Sequence, residues 1–303
     1  MQEAQDALQR YVVLDPACGS GNFLYVAYRE LRRIEAELRR RARDMRRSAG
    51  LREQATLALY FPLTNIKGIE LDPFAVQLAR VTMWMGHKLA VDELDLEERV
   101  LPLVDLSGIR RGDALKLEWP RADAIIGNPP YHGTKFLRGE LGDEYVEWLR
   151  TEFKVGVKDY CVYWFRKAHE HLASGGGAGL VGTNSIAEGV NRGASLDYIT
   201  ADGSVITTAV ASQDWSGEAA VHVSIVNWVK TPPQPPSTHV LDGREVSGIT
   251  SSLRPLEADF RGRDSRGTSG SSSSARCSLA TGSFSTTNRL RHCCRRNRTI
   301  AMS

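Results

Sequence analysis

The sequence predicts an α/β protein whose core is a mostly parallel β-sheet with helices on both faces. Two observations lead to this expectation. Short runs of apolar, β-favouring residues alternate with segments whose apolar residues recur at helical spacing, and the alternation repeats along the chain. In addition, the last two strand-like runs are joined by only a short link, so we expect them to pair antiparallel.

The first strand and helix set this pattern. An apolar run at residues 11–14 stops at Asp15-Pro16 and is typical of a buried strand. After Gly21, apolar residues return every three or four positions through about residue 47, with Arg and Glu between them, which predicts an amphipathic helix.

The remaining elements follow from the same two periodicities. Further strands are predicted at residues 66–70, 107–111, 122–126, 178–183, 205–210 and 221–229. Further helices are predicted at residues 74–89 and 160–172, the first of them marked by an apolar stripe through Phe74, Leu78, Val81, Met85 and Leu89. The predicted sheet therefore has seven strands.

Composition indicates a globular protein, since 42% of the residues are hydrophobic and 25% are charged. No apolar run is long enough to span a membrane, and the polar N-terminus does not resemble a secretory signal, so a cytoplasmic location is expected. Five scattered cysteines predict neither a disulfide framework nor a zinc site, and no metal is expected.

Composition also divides the chain into three parts. Residues 1–230 hold the predicted strands and helices, whereas the proline-rich residues 231–260 are expected to be a linker or the start of another domain. Ser, Arg, Gly and Thr dominate residues 261–303, which predicts a disordered tail. A shifted reading frame is one hypothesis for this tail, and a natural basic tail that contacts nucleic acid is the alternative. The tail holds nine Arg and one Asp, so the rest of the chain is net acidic.

A glycine-containing turn joins the first strand to the first helix, with the sequence Asp15-Pro16-Ala17-Cys18-Gly19-Ser20-Gly21-Asn22-Phe23. Its two glycines let the backbone bend sharply and approach a ligand, and the following helix offers unpaired N–H groups. A dinucleotide site is disfavoured, because Leu24 stands where a third glycine is needed and the acid that ends the second strand, Glu70, comes late. From the residues alone, Asp15 and Glu70 could instead cap helices, and Asp113 could be a turn residue.

The run Asn128-Pro129-Pro130-Tyr131 follows the fourth predicted strand directly. Its prolines fix the backbone and remove two N–H donors, which leaves carbonyls and the Asn128 amide as acceptors. Such acceptors suit an exocyclic amino group: if the Asn128 oxygen and the Pro129 carbonyl accept its two hydrogens, its lone pair can point at an electrophilic methyl group. The aromatic ring of Tyr131 could stack on the planar ring that carries such an amino group. The alternative is a rigid proline turn without a chemical role.

The turn from Asp15 to Phe23 resembles the cofactor-binding motif of DNA adenine methyltransferases from restriction-modification systems, and the motif order is that of their gamma class. The resemblance implies the Rossmann-like fold of class I methyltransferases and S-adenosyl-L-methionine as cofactor. It implies that Asp15 holds the cofactor's ammonium, Glu70 both ribose hydroxyls and Asp113 the adenine amino group. The implied cofactor-binding residues are Asp15, Ala17, Gly19, Gly21, Phe23, Glu70, Asp113 and Asn128, and the implied catalytic residues are Asn128, Pro129, Pro130 and Tyr131.

Later segments narrow the resemblance. Residues 158–165, 179–186 and 215–226 are similar to the MmeI-like (type IIG and IIL) enzymes, which fuse a nuclease, a methyltransferase and a target-recognition domain. This similarity covers residues 11–230 and implies a chain that lacks the nuclease and target-recognition parts at its two ends.

We therefore expect methyl transfer from S-adenosyl-L-methionine to the N6 amino group of a flipped adenine in DNA, as part of a restriction-modification system. Two alternatives stay open. Methyltransferases that act on RNA or on protein glutamine use similar catalytic runs, and the chain could be an inactive fragment that needs a partner.

Overall fold

The computed structural model of the chain is an open β-sheet between two layers of helices, and it describes residues 2–50, 60–93, 105–215, 221–234 and 236–256. The strands are β1 (Val13–Asp15), β2 (Ile66–Glu70), β3 (Ile109–Arg111), β4 (Ala124–Gly127), β5 (Gly177–Thr183), β6 (Val205–Asp214), β7 (His222–Val229), β8 (His239–Leu241) and β9 (Arg244–Val246). The helices are α1 (Gln2–Arg10), α2 (Asn22–Ser48), α3 (Pro73–Glu93), α4 (Leu137–Leu141), α5 (Asp143–Phe153), α6 (Tyr160–His171), α7 (Gly189–Ala194) and α8 (Leu196–Thr200).

The strand order is β3-β2-β1-β4-β5-β7-β6-β8-β9. β1 pairs in parallel with β2 and with β4, and the parallel arrangement extends to β3 on one side and β5 on the other. β7 is antiparallel to both β5 and β6. The predicted α/β fold, with a mostly parallel sheet and an antiparallel pair formed by the sixth and seventh strands, is thus confirmed.

Two further strands extend the sheet beyond the seven predicted ones. β8 pairs in parallel with β6, and β9 pairs antiparallel with β8. The sequence predicts a linker or a new domain at residues 231–260, but residues 239–246 instead continue the same sheet. Their pairing covers the edge of β6, whose backbone groups would otherwise lack partners. Asp242 and Gly243, with φ of 49° and 77°, form the two-residue turn of this hairpin.

Two hydrophobic cores lie on opposite faces of the sheet, because successive side chains of a strand point to opposite faces. One core contains Leu14 and Ile125 and is covered by α5, α6 and α8. The other contains Val13 and Ile66 and is covered by α1, α2 and α3. Helix α6 has almost no exposed face, since eight of its twelve residues are buried.

Helix α3 forms where it is predicted, but it packs through a different face. The five residues of the predicted apolar stripe are exposed, namely Phe74, Leu78, Val81, Met85 and Leu89. The side chains that pack against the sheet include Val76, Ala79, Met83 and Ala90. The periodicity therefore identifies the helix correctly but not the side of it that is buried.

Some predictions fall on residues that the structure does not describe. The tail at residues 261–303 lies outside the described residues, as do residues 216–220 of the short link predicted between the last two strands. Within the described residues, no helix combines the length and the apolar character that a membrane crossing requires.

Candidate active site

The predicted site residues lie at the carboxyl edge of the parallel strands. Asp15 ends β1, Glu70 ends β2, Asp113 follows β3 and Asn128 follows β4. Because these four strands are neighbours and parallel, their carboxyl ends meet at one edge of the sheet. Ligands of open α/β sheets bind in the crevice outside this edge.

The carboxyl group of Asp15 is the most deeply buried charge of the site, and the residue is 1% exposed. Its Oδ1 accepts a hydrogen bond from the backbone N–H of Ala17 at 3.0 Å. Its Oδ2 has no hydrogen-bond partner among the described residues. Burial raises the pKa of Asp15 to about 7, and the nearby charge of Glu70 adds to this rise. The unpaired oxygen would favour a cationic ligand group, which would supply the missing partner.

Gly127 brings Asp15 against the end of β4. A Cβ atom on Gly127 would lie 2.6 Å from Oδ1 of Asp15, and the φ of Gly127 is 152°, so a side chain is excluded here. Asp15 therefore lies directly beside the residue that precedes Asn128. The end of β1 thus lies next to the catalytic run, residues 128–131, so called because they are the predicted catalytic residues.

The two glycines of the first turn have different roles. Gly21 directly precedes α2 with a φ of 86°, and a Cβ atom there would lie 3.1 Å from Cα of Ala79, so this glycine permits close helix packing. Gly19 has a φ of 52°, and among the described residues, its two chain neighbours aside, no atom lies within 4 Å of the position that its Cβ would occupy. Space over the backbone of Gly19 is thus open to a ligand. Ala17 is half-buried, whereas Phe23 is 38% exposed in the first turn of α2.

Glu70 accepts three backbone hydrogen bonds. Its Oε2 accepts from the N–H of Gly19 at 2.9 Å, and its Oε1 accepts from the N–H groups of Leu71 and Asp72 at 2.7 and 3.0 Å. Asp72 in turn accepts from the N–H of Phe74 at 2.7 Å and caps α3. A carboxylate has about four acceptor sites. Glu70 would therefore have to release one backbone bond to hold two hydroxyl groups.

Asp113 also has both of its oxygens occupied. Oδ1 accepts from the N–H of Leu115 at 2.9 Å, and Oδ2 accepts from the hydroxyl of Tyr145 at 2.7 Å. The hydroxyl of Tyr160 lies 3.2 Å from that of Tyr145. Neither tyrosine is among the predicted site residues. Tyr160 lies in a segment that supports the family resemblance, but nothing in the sequence points to Tyr145, which belongs to the unpredicted helix α5.

The catalytic run is partly exposed at the sheet edge: Pro129 is buried, Pro130 is exposed, and Asn128 and Tyr131 are half-buried. The hydroxyl of Tyr131 donates a hydrogen bond to Oδ1 of Asn128. Burial raises the pKa of Tyr131, so its hydroxyl stays protonated at neutral pH. One of the two lone pairs of the Asn128 oxygen is therefore used within the protein, and one is left for a substrate.

A hydrogen-bond network centred on Asp159 holds the loop that follows the catalytic run. Oδ1 of Asp159 accepts from the N–H and the hydroxyl of Thr134 at 2.9 and 2.8 Å, and Oδ2 accepts from the hydroxyl of Ser185 at 2.5 Å. Burial acts to raise the pKa of Asp159, but the hydrogen bonds from Ser185 and Thr134 outweigh it and lower the pKa. The loop is thereby tied to the start of α6 and to the end of β5.

The structure thus brings most of the predicted residues together. Glu70 contacts Gly19, Asp15 contacts the end of β4, and the N–H of Gly112, next to Asp113, donates to the carbonyl of Glu70 at 2.8 Å. Phe23 lies at the margin, on the surface of α2. Across the described part of the chain, no group of three His, Cys, Asp or Glu side chains could hold a metal ion.

The family model for the MmeI DNA-methyltransferase domain matches residues 1–238. The chain belongs to this family. The MmeI-domain match includes every predicted site residue, and it ends close to the proline-rich segment that follows β7.

Curated relatives agree with this assignment. The chain is 28% identical over 229 residues to DNA methyltransferase A of Bacillus subtilis (strain 168). The matched region covers 70% of this chain and 25% of that protein. The chain is 30% identical over 152 residues to the adenine-specific methyltransferase PglX of Streptomyces coelicolor, covering 48% of this chain and 10% of the relative. This chain thus spans a quarter or less of the length of these two relatives.

A solved structure supports the fold. The type IIL restriction-modification enzyme MmeI in complex with DNA superposes with a TM-score of 0.67 at 24% identity, covering 86% of this chain and 37% of that enzyme. The chain therefore shares the fold of the part of that enzyme that it matches.

Proposed function

We propose that this MmeI-family domain transfers a methyl group from S-adenosyl-L-methionine to the N6 amino group of an adenine in DNA. The observation that carries the proposal is the position of Asn128 and Pro129 at the end of β4, directly beside the buried and half-satisfied carboxyl group of Asp15. Acceptors for an amino group and a partner for a cation thus meet at one sheet edge.

The residues present fit this cofactor. The unpaired Oδ2 of Asp15 suits its ammonium group, and the open space over Gly19 leaves room for its amino-acid part. Glu70 and Asp113 end the next two strands of the same edge, where their carboxylates can accept from ribose hydroxyls and from an adenine amino group. When bound, S-adenosyl-L-methionine supplies a methyl group attached to a positively charged sulfur.

The protein's part in the reaction is to make the amino nitrogen a nucleophile. The Asn128 oxygen and the Pro129 carbonyl accept the two amino hydrogens and draw the lone pair of the nitrogen out of the ring system. The nitrogen then forms a bond to the methyl carbon as the carbon–sulfur bond breaks, and it loses one proton to water. Positioned acceptors of this kind typically contribute about a hundredfold or more to the rate.

Adenine and DNA are favoured over the other substrates by the relatives. PglX is named adenine-specific, DNA methyltransferase A is named for DNA, and MmeI was solved with DNA bound. A base must leave its duplex to reach Asn128, and stacking on Tyr131 offsets part of that cost. The chain before residue 261 is net acidic. We therefore propose that a target-recognition domain or a partner chain supplies most phosphate contacts.

Replacement of Asn128 tests the proposed role. In Asn128→Ala, transfer of a labelled methyl group to DNA should fall by about a hundredfold or more, while the affinity for S-adenosylhomocysteine, measured by calorimetry, stays within about twofold. Asn227→Ala, on β7 and away from this edge, is the matched control and should retain transfer. Normal transfer by Asn128→Ala would contradict the assigned role. Label that enters RNA or a glutamine-containing peptide but not DNA would contradict the proposed substrate.

A further inference from the structure

Helix α5 brings a tyrosine hydroxyl to Asp113. α5 lies in the segment between the catalytic run and α6, and the hydroxyl of Tyr145 in its first turn is 2.7 Å from Oδ2 of Asp113. The other oxygen, Oδ1, is held by the N–H of Leu115 at 2.9 Å. Both oxygens of this carboxylate are therefore held, and its plane is fixed relative to the sheet edge.

The direction of the hydrogen bonds follows from the chemistry of the groups. An ionised carboxylate only accepts, so Tyr145 donates its single hydroxyl hydrogen to Asp113. The oxygen of Tyr145 then accepts from the hydroxyl of Tyr160, 3.2 Å away. Burial raises the pKa of Tyr145, and the hydrogen bond that its hydroxyl donates to Asp113 acts in the same direction, so the hydroxyl remains a donor at neutral pH.

The ring of Tyr145 is held in place by three neighbours. The Trp148 ring lies 5.2 Å away in a tilted arrangement, the Tyr160 ring lies 6.4 Å away edge-on, and the ammonium of Lys116 lies 4.7 Å from the ring centroid. A hydroxyl on a ring held in this way can orient a carboxylate at little cost in entropy.

The same cluster connects to the catalytic run. The backbone N–H of Tyr160 donates to the carbonyl of His132 at 2.9 Å, and the two rings lie 5.8 Å apart. His132 directly follows Tyr131. The hydroxyl chain from Tyr160 through Tyr145 to Asp113 therefore joins the third strand's carboxylate to the loop that carries the acceptors for the substrate.

We propose that Tyr145 is a positioning residue, which holds the Asp113 carboxylate so that its free lone pair accepts the 6-amino hydrogen of the cofactor's adenine. The assignment rests on the proposed function, since it needs a cofactor with an adenine at this edge. Tyr145 acts through Asp113 and contacts neither the cofactor nor the substrate.

A pair of ligands separates this role from a merely structural one. S-adenosylhomocysteine carries the 6-amino group, and its purine analogue carries a hydrogen at that position. In Tyr145→Phe the dissociation constant for S-adenosylhomocysteine, measured by calorimetry, should rise about tenfold, as expected for loss of a hydrogen bond to a charged group. The dissociation constant for the analogue should stay within about twofold of the unaltered protein.

Tyr198→Phe is the matched control, because the hydroxyl of Tyr198 also donates to a carboxylate, that of Glu170 at 3.1 Å, on a different part of the protein. It should leave both affinities unchanged. Asp113→Asn should weaken the binding of S-adenosylhomocysteine more than that of the purine analogue. Adding Tyr145→Phe to Asp113→Asn should cause little further loss of affinity, because the two residues act as one unit.

Four results would overturn the assignment, and they are distinguishable. If Tyr145→Phe binds S-adenosylhomocysteine as tightly as the unaltered protein, or loses affinity for both ligands equally, the positioning role is wrong while the proposed function stands. Fully additive losses in the double variant would likewise separate Tyr145 from Asp113. If the unaltered protein binds neither ligand, the proposed function fails together with this inference.

Discussion

Replacing Asp15 by asparagine is expected to make the ligand-free protein more stable and to weaken its binding of the cofactor. Asp15 is buried, and its Oδ2 lacks a hydrogen-bond partner in the described residues. Charge at this position is therefore unfavourable for folding until a cation binds. Asparagine keeps the size of the side chain and removes the charge, so the two effects should have opposite signs.

The magnitude follows from the pKa of Asp15. Burial raises it from the ordinary value of 3.8 to about 7. A group whose pKa is raised by folding contributes stability below the unfolded pKa and loses that contribution as the pH rises through the folded pKa. Between pH 3.8 and pH 7 the folded protein binds the proton and the unfolded chain does not, so stability falls with rising pH. At pH 8 the rise in the pKa of Asp15 therefore lowers the free energy of unfolding by about 4 kcal/mol.

Urea unfolding of both proteins at pH 4 and pH 8 measures this effect. At pH 8, Asp15→Asn should have a free energy of unfolding higher by up to about 4 kcal/mol, and at pH 4 the gain should be below about 1 kcal/mol. Asp105→Asn is the control, because hydrogen bonds from Ser107 lower the pKa of Asp105. That variant should not be stabilised at pH 8. The reasoning is refuted if Asp15→Asn is less stable than the unaltered protein at pH 8, or if its gain is the same at both pH values.

Binding of the cofactor should depend on the same proton. At pH 6 the carboxyl group of Asp15 is mostly protonated, so pairing with the ligand's ammonium requires release of a proton. The calorimetric enthalpy of S-adenosylhomocysteine binding should then vary with the ionisation enthalpy of the buffer at pH 6 and much less at pH 8. Asp15→Asn should lose this buffer dependence.

Two further predictions concern the contacts around the site. Gly127→Ala places a Cβ atom 2.6 Å from Oδ1 of Asp15 at a φ of 152°, so we expect a loss of about 1–3 kcal/mol in thermal or urea unfolding and weaker S-adenosylhomocysteine binding. Gly139→Ala is the control: Gly139 lies in α4, and its Cβ would meet no described atom within 4 Å outside its own helix, so this variant should lose no stability. Equal losses of stability in the two variants would contradict the contact between Gly127 and Asp15. Asp159→Ala removes the acceptor of Thr134 and Ser185 and should cost roughly 1–3 kcal/mol of stability. It should also slow methyl transfer at least tenfold with unchanged cofactor affinity, and an unchanged transfer rate in the folded variant would show that the loop does not depend on Asp159.

The meeting of the candidate site residues at one edge of the sheet could be predicted because they lie at strand ends. Asp15 and Glu70 end predicted strands and Asn128 follows one, and parallel strands place such positions at one edge of the sheet. What the sequence shows is therefore a set of local patterns whose meeting point is dictated by topology. Most hydrogen-bond partners of these three side chains are close in sequence, such as Ala17 for Asp15 and Tyr131 for Asn128. The bond from the N–H of Gly19 to Glu70 joins residues 51 positions apart, and no local pattern predicts it.

Helix α3 shows the limit of periodicity. Its sequence carries apolar residues on both sides, so the stripe through Phe74 and Met85 has the same helical spacing as the buried residues Val76 and Met83. Spacing defines a face, but only the shape of the neighbouring sheet and helix decides which face packs. Gly21 against Ala79 is such a contact, formed between residues that are far apart in sequence.

The hairpin of β8 and β9 could have been predicted from its turn residues, but the nearby proline-rich segment favoured the prediction of a linker. Asp242-Gly243 is a typical two-residue hairpin turn, and both residues have positive φ. Strands of three residues are too short for a clear alternation of apolar and polar side chains, so the turn is the informative feature. Tyr145, in contrast, reaches Asp113 through the irregular segment that includes α4, and no local pattern predicts that contact.

The most direct test of the central claim is the chemical identity of the methylated product. The full chain is incubated with DNA and S-adenosyl-L-methionine carrying an isotopically labelled methyl group, and the DNA is digested to nucleosides for mass spectrometry. Our account predicts labelled N6-methyldeoxyadenosine with the unaltered protein and none with Asn128→Ala. Labelled N4-methyldeoxycytidine, or label found only in RNA or protein, would contradict it.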